Sequence, residues 1–136
     1  MNILIICPPY KPVPAVEGGA IESLVEDYLK YNSKKNTFHV TIYSIYSENI
    51  KNKAIENYPN TAFRYINKNT ARYKINKILT GIMKRIFSKA QIPRPYSLCV
   101  VSDLKKKKEF EKYDLVIVEN QVESLIYYGN IFKGRI

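Results

Sequence analysis

Metal-binding and redox chemistry have little to work with in this chain. Cysteine occurs only at Cys7 and Cys99, histidine only at His39, and there is no CxxC pair. Neither a zinc site nor a disulfide framework is indicated, so no metal and no cofactor is expected. Two reduced, buried thiols are the simplest account, and they point to the cytoplasm. No apolar run approaches the length that crosses a bilayer. A secretory leader is not convincing either: Ile3 to Cys7 is short, no basic region precedes it, and it runs straight into Pro8-Pro9. Repeats, low-complexity segments and interdomain linkers are absent as well.

Acidic residues are missing from the middle of the chain. None lies between Glu56 and Asp103, while Arg64, Lys68, Arg72, Lys74, Lys77, Lys84, Arg85, Lys89 and Arg94 all fall there, and the formal net charge is +10. A positive face follows, attractive to anionic lipid, to nucleic acid or to a phosphorylated substrate; sign alone does not choose among them. No recognisable nucleic-acid motif accompanies the charge, so nucleic acid is not the expected partner.

What is present alternates between strand and helix patterns. Asn2 to Cys7 has no polar alternation, as expected of a parallel strand covered on both faces, and the prolines from Pro8 to Pro14 forbid its continuation. From Gly19 to Asn32, Ile21, Leu24, Val25, Tyr28 and Leu29 recur at helical spacing, with Glu22 in the first turn where the macrodipole favours it. Phe38 to Ser44 reads as a second strand by alternation, with His39 at its start, and Thr61 to Ile66 as a third. The segment from Asn49 to Tyr58 reads as irregular or briefly helical. Ile75, Ile78, Leu79, Ile82, Met83, Ile86 and Phe87 form one stripe of a helix from about Thr70 to Lys89. That stripe is expected to pack into the core and leave the basic side outward.

A further helix is expected from Tyr96 to Lys112, a strand over Asp114 to Glu119, and a last helix that begins at Ser124 and ends quickly because of Gly129 and Gly134. Such alternation implies right-handed βαβ crossovers and an α/β fold: a Rossmann-like parallel sheet with helices on both faces, whose ligand edge lies beyond the strand carboxyl ends. The loops to watch are Pro8 to Gly19, Ser44 to Ser47 and Asn120 to Glu123.

At the first of these loops, Gly18 and Gly19 carry no Cβ, so a ligand can approach the backbone, and the free amides of the following turn would face a phosphate or carboxylate. A Gly-Gly pair equally serves a loop that only needs flexibility. A dinucleotide site would want GxGxxG tight against the first strand and an acidic residue closing the second, and a nucleoside triphosphate site would want GxxxxGK[ST]; neither is present.

The blocks ILIICPPYKPVPAVEGGAIESLVEDYLK, FHVTIYS and YDLVIVEN resemble the amino-terminal half of family 4 glycosyltransferases of the GT-B fold. The first block is fairly specific, since a proline-rich loop leading to Gly-Gly before the first helix recurs in that family; the other two are ordinary Rossmann-like strands. The resemblance implies an acceptor-binding domain, residues 1–136, facing a second domain that binds the nucleotide sugar. It implies a retaining transfer to a glycan or lipid-linked acceptor. It also implies that Gly18 and Gly19 line the cleft near the donor diphosphate.

Many family members carry a histidine near the end of the strand matching Asp114 to Glu119; here Glu119 and Asn120 stand instead, able to bind acceptor hydroxyls. The candidate substrate-binding residues are thus Glu17, Gly18, Gly19, Glu119 and Asn120, with Glu119 and Asn120 also the candidates for any catalytic role. At these last two, a solvated strand end and a turn former are the plain alternatives. No counterpart of the donor domain follows Ile136, so the chain alone is expected to be inactive. Several related enzymes are membrane-peripheral, which would place this one at the inner face of a membrane. The competing reading is a noncatalytic module that binds an anionic membrane surface or a separate catalytic chain.

Overall fold

A run of five residues that is apolar after its first position needs cover on both sides, and β1 (Asn2–Ile6) obtains it in the centre of a parallel sheet. In the computed structural model, which describes residues 1–52, 58–87 and 92–136, β1 is followed by α1 (Ala20–Lys35), β2 (His39–Ile45), a short 3-10 turn at Glu48–Asn52 and β3 (Thr61–Ile66). Then come α2 (Ala71–Ile86), α3 (Pro95–Lys107), β4 (Leu115–Val118) and α4 (Val122–Phe132). The strand order is β3-β2-β1-β4 and every pairing is parallel. This is the α/β, Rossmann-like architecture that the alternation implies.

Two cores sandwich the sheet. On one face Ile3, Ile5, Cys7, Val40 and Ile42 pack with Val25 and Leu29 of α1. On the other, Leu4, Ile6, Tyr43, Ile45 and Val116 pack with Tyr96, Val100 and Leu104 of α3 and Tyr128 and Phe132 of α4. Alternation in β2 understates its burial: only His39 is exposed, because the Tyr43 and Ile45 face is covered by α3 as completely as the Val40 and Ile42 face is by α1. Cys7 and Cys99 are both free and buried.

Three boundaries differ from expectation. α3 ends at Lys107, because Lys108 adopts a left-handed conformation (φ 55°) and donates its N–H back to Leu104 and Lys105, so the lysine run itself closes the helix. α4 runs through Gly129 to Phe132, held by the burial of Tyr128 and Phe132, which outweighs the propensity cost of one glycine. The helix expected to reach Lys89 stops at Ile86; Lys89 lies outside the described residues.

The largest correction concerns the apolar stripe of α2. The helix packs chiefly on α3, and the only buried side chain within it is Thr80. Ile75, Ile78, Leu79, Ile82, Met83, Ile86 and the adjoining Phe87 are 42–66% exposed.

A polar cluster ties β2 and β3 to the end of α3. Arg64 donates to Glu109 Oε2 (2.5 Å) and to the Tyr43 hydroxyl (3.0 Å), and Tyr43 donates to Asp103 Oδ2 (2.5 Å). Its hydrogen bond from Arg64, with a second from Lys112, holds the Glu109 carboxyl down to about 2 from an ordinary 4.5. A folded-state pKa below the unfolded one means stabilisation that is complete above about pH 4.5 and lost as pH falls toward 2. Glu109→Gln is therefore expected to cost roughly 1–2 kcal/mol at neutral pH. It should also flatten the acid limb of a denaturant-midpoint versus pH curve between those two values, and an unchanged curve would contradict the assignment.

Candidate functional site

With β2 on one side of β1 and β4 on the other, the chain leaves the sheet in opposite directions around the carboxyl end of β1. A crevice opens at such a switch point. The strand-end carbonyls there need partners, and Gln121, buried at the start of α4, donates its side-chain amide to the carbonyls of Ile6 (3.2 Å) and Cys7 (2.9 Å). Cys7 itself is a packed hydrophobe: burial, then the negative charges of Glu119 and Glu22, pushes its thiol far above the ordinary range.

The proline-rich loop that borders the crevice is fastened at three points. Val13 N–H donates to Ser44 Oγ at the end of β2 (2.9 Å), and the Tyr65 hydroxyl at the end of β3 donates to the Val13 carbonyl (3.0 Å). Ala15 N–H donates to Glu26 Oε2 on α1 (2.8 Å), and the Tyr58 hydroxyl donates to Glu26 Oε1 (2.9 Å). Burial first, and then the bond to Glu26, raises the Tyr58 phenol to about 12. With Val13 fully buried, this loop is a fixed wall.

Gly18 (φ 67°) and Gly19 (φ 115°) turn the wall into α1 through backbone conformations that side chains rarely adopt. Glu22, one turn into the helix, reaches back so that its carboxylate lies where a Cβ on Gly19 would sit, with the Lys11 stem 3.1 Å from the same point. The positive end of α1 thus faces a carboxylate of its own chain. Around this corner lies an open hollow of about 240 Å³, lined by Pro8, Tyr10, Lys11, Gly19, Glu22 and Asn120 among others. The Arg94 guanidinium bonds to the Tyr10 hydroxyl and stands over its ring (5.5 Å to the centroid), anchoring that aromatic at the rim.

Of the candidate residues, Gly19 and Asn120 meet in the hollow. Gly18 is exposed beside it, with nothing within 4 Å of the position a Cβ would take. Glu17 is turned toward the end of β2, where it accepts from Ser47 and from Asn49 (3.4 Å). Glu119 continues the β4 ladder, its N–H on the Ile6 carbonyl (3.0 Å), and lines a separate, largely apolar groove between α1 and β4 with Ile117, Leu24 and Tyr28. Neighbours in sequence, Glu119 and Asn120 are parted because a strand sends successive side chains to opposite faces and Asn120 then turns left-handed (φ 44°).

Lys11, Glu22 and Arg94 were not among the candidates, although all three sit in or behind the hollow. Glu22 at the third helical position after Gly-Gly carried a signal, since a glutamate there commonly folds back on the helix start. Among the tyrosines of the neighbouring segments, Tyr43 and Tyr96 are buried in the core and Tyr46 is half-buried, whereas Tyr10 lines the hollow. A larger hollow of about 440 Å³ lies at the opposite, amino edge of the sheet among Asn2, His39, Asn60 and Lys112. Ligands of open α/β sheets bind at the carboxyl edge, so the smaller hollow is the candidate. Among the described residues no cluster of side chains is arranged to hold a metal ion, and no helix is long and apolar enough to cross a membrane.

Comparison of the chain with protein-family models, with curated proteins and with solved structures returns no match.

Substitution at the glycine corner is expected to be costly even though both glycines touch solvent. Gly19→Ala must both adopt a conformation reserved for glycine and displace Glu22, at about 1–3 kcal/mol, while Gly18→Ala meets open space and loses about 1–2 kcal/mol to its left-handed backbone alone. Chemical denaturation of both variants measures this; Gly19→Ala as stable as the unsubstituted chain would show that the corner is not built this way.

Proposed function

We propose that this chain forms the acceptor-side wall of a two-domain GT-B glycosyltransferase similar to family 4, in which a sugar passes from a nucleotide sugar to a glycan or lipid-linked acceptor. The observation that carries the reading is the hollow bounded by Gly19 and Asn120 at the carboxyl end of the central strand. Sugar hydroxyls both donate and accept, and a small group of side chains there supplies both kinds of partner. The Lys11 ammonium donates, the Glu22 carboxylate accepts, and the Asn120 amide does either. Tyr10 adds a ring face of the kind that sugars stack on.

The same inventory argues for a neutral polyol over a bare anion at this spot. A phosphate would be attracted by Lys11 and the first-turn amides, yet it would meet the Glu22 carboxylate already lying over Gly19. In this reading the acceptor occupies the hollow. The donor diphosphate is held mainly by the facing domain and reaches the Gly18-Gly19 amides only when Glu22 swings aside. Asn120 orients an acceptor hydroxyl, and Glu119, set in the neighbouring groove, acts on the far side of the strand end. Two free, buried thiols suit a reducing cytoplasmic compartment.

A second reading, a noncatalytic module that docks on another surface, is favoured by one observation, the outward apolar face of α2.

Titration of the isotope-labelled chain with simple hexoses and disaccharides, followed by backbone amide NMR, separates sugar binding at the rim from none. The reading predicts millimolar-range shifts confined to Lys11, Gly19 to Glu22 and Asn120, abolished in Asn120→Ala. Shifts scattered elsewhere, or none with any sugar, would overturn it.

A further inference from the structure

We propose that α2 is an interfacial helix that docks the protein on an anionic phospholipid bilayer, apolar stripe inward to the lipid and lysines at the headgroups. The proposal does not depend on sugar transfer, and none of its test residues lines the rim hollow.

α2 meets the rest of the described protein through one side. At about 3.6 residues per turn, Tyr73, Asn76 and Thr80 share one side, and that side meets α3: Asn76 donates to Cys99 Sγ (3.3 Å), Thr80 is buried, and Tyr73 packs against the core under α3. The opposite side carries Ile75, Ile78, Leu79, Ile82 and Ile86, all 48–66% exposed. A helix on the surface of a globular protein normally turns its apolar stripe to the core and its polar side to water. Here the polar side is used for packing and the apolar side is presented outward. Lone exposed apolar residues need no explanation, but an uninterrupted stripe along a sixteen-residue helix marks an interaction surface.

Charge selects the occupant. Lys74 and Arg85 border the stripe on one side with Lys77 and Lys84 beyond them, Arg72 stands on the other, and there is no acidic residue anywhere in α2. Beside the helix runs an open groove of about 720 Å³ to which Lys68, Lys74, Lys77 and Lys84 contribute, and among the described residues no carboxylate pairs with any of the four. A second copy laid stripe to stripe would bring the two sets of cations together on a chain of net charge +10. A nucleic acid would satisfy the lysines and leave the isoleucines in water. An anionic bilayer satisfies both: the stripe sinks to the boundary between headgroups and acyl chains, while the lysine stems lie along it with their ammonium groups among the phosphates.

The experiment uses the full chain with vesicles of phosphatidylcholine alone and of equal parts phosphatidylcholine and phosphatidylglycerol. Binding by flotation is expected to be at least roughly tenfold tighter to the anionic vesicles and to weaken with salt. Ile78→Ser with Ile82→Ser, and separately Lys74→Gln with Lys77→Gln, should each weaken it by roughly tenfold or more while the melting temperature stays within a few degrees, since these side chains are already in water. The chain has no tryptophan, so Ile82→Trp supplies a single reporter whose emission should shift to the blue on anionic vesicles and be quenched by lipids brominated along the acyl chain. Equal binding to both vesicle types, or an unshifted reporter, overturns the proposal. So does a dimer in solution that Ile78→Ser with Ile82→Ser converts to a monomer, because a second copy would then be the cover.

Discussion

The structure depends on the position of β1 in the middle of a parallel sheet. A strand with no polar alternation can be stable only if both of its faces are covered and both of its edges are paired, and β1 obtains all four: α1 on one face, α3 and α4 on the other, β2 and β4 at the edges. Two consequences follow for the rest of the chain. The helices that cover the sheet are committed to it, and the carboxyl end of β1 becomes the point from which the polypeptide departs to either side. The carbonyls stranded there are taken up by Gln121, and the crevice beside them is walled by a proline-rich loop that three side chains from three different elements hold in place.

That arrangement leaves α2 without a place on the sheet. The face beneath β1 and β2 is already filled by α3 and α4, so α2 rests on α3 through the side that carries Tyr73, Asn76 and Thr80, and its isoleucines point away from the protein. The rim and the outrigger helix are therefore products of one constraint. The same burial that organises a small hollow at one end of the sheet excludes an amphipathic helix from the core and turns it into a surface.

Much of the fold was legible in the residues because buried parallel strands and amphipathic helices have strong patterns. ILII and LVIV read as covered strands, the spacing from Ile21 to Leu29 reads as α1, and the stripe from Ile75 to Ile86 reads as α2. What periodicity cannot reveal is what lies against a stripe: the pattern of α2 is that of a core helix, and only the competition for space on the sheet shows that it is not one. The rim was legible at Gly19, because a glycine pair marks the entry to α1, and at Asn120, because it follows the end of β4. It was not legible at Glu17 and Glu119, whose directions are decided by Ser47 and Asn49 in one case and by strand alternation in the other. Gln121 is not legible in the sequence, because an amide that caps main-chain carbonyls from a distant element leaves no local pattern.

The central claim is that β1 is the doubly covered heart of the molecule and α2 lies outside its core. Native-state amide hydrogen exchange, followed residue by residue in low denaturant without lipid, tests it most directly. The account predicts that Ile3 to Ile6 exchange only through global unfolding, while Ile75 to Ile82 exchange through a smaller opening with weak dependence on denaturant. Amides of α2 as strongly protected as those of β1, or β1 amides that exchange through local opening, would contradict it.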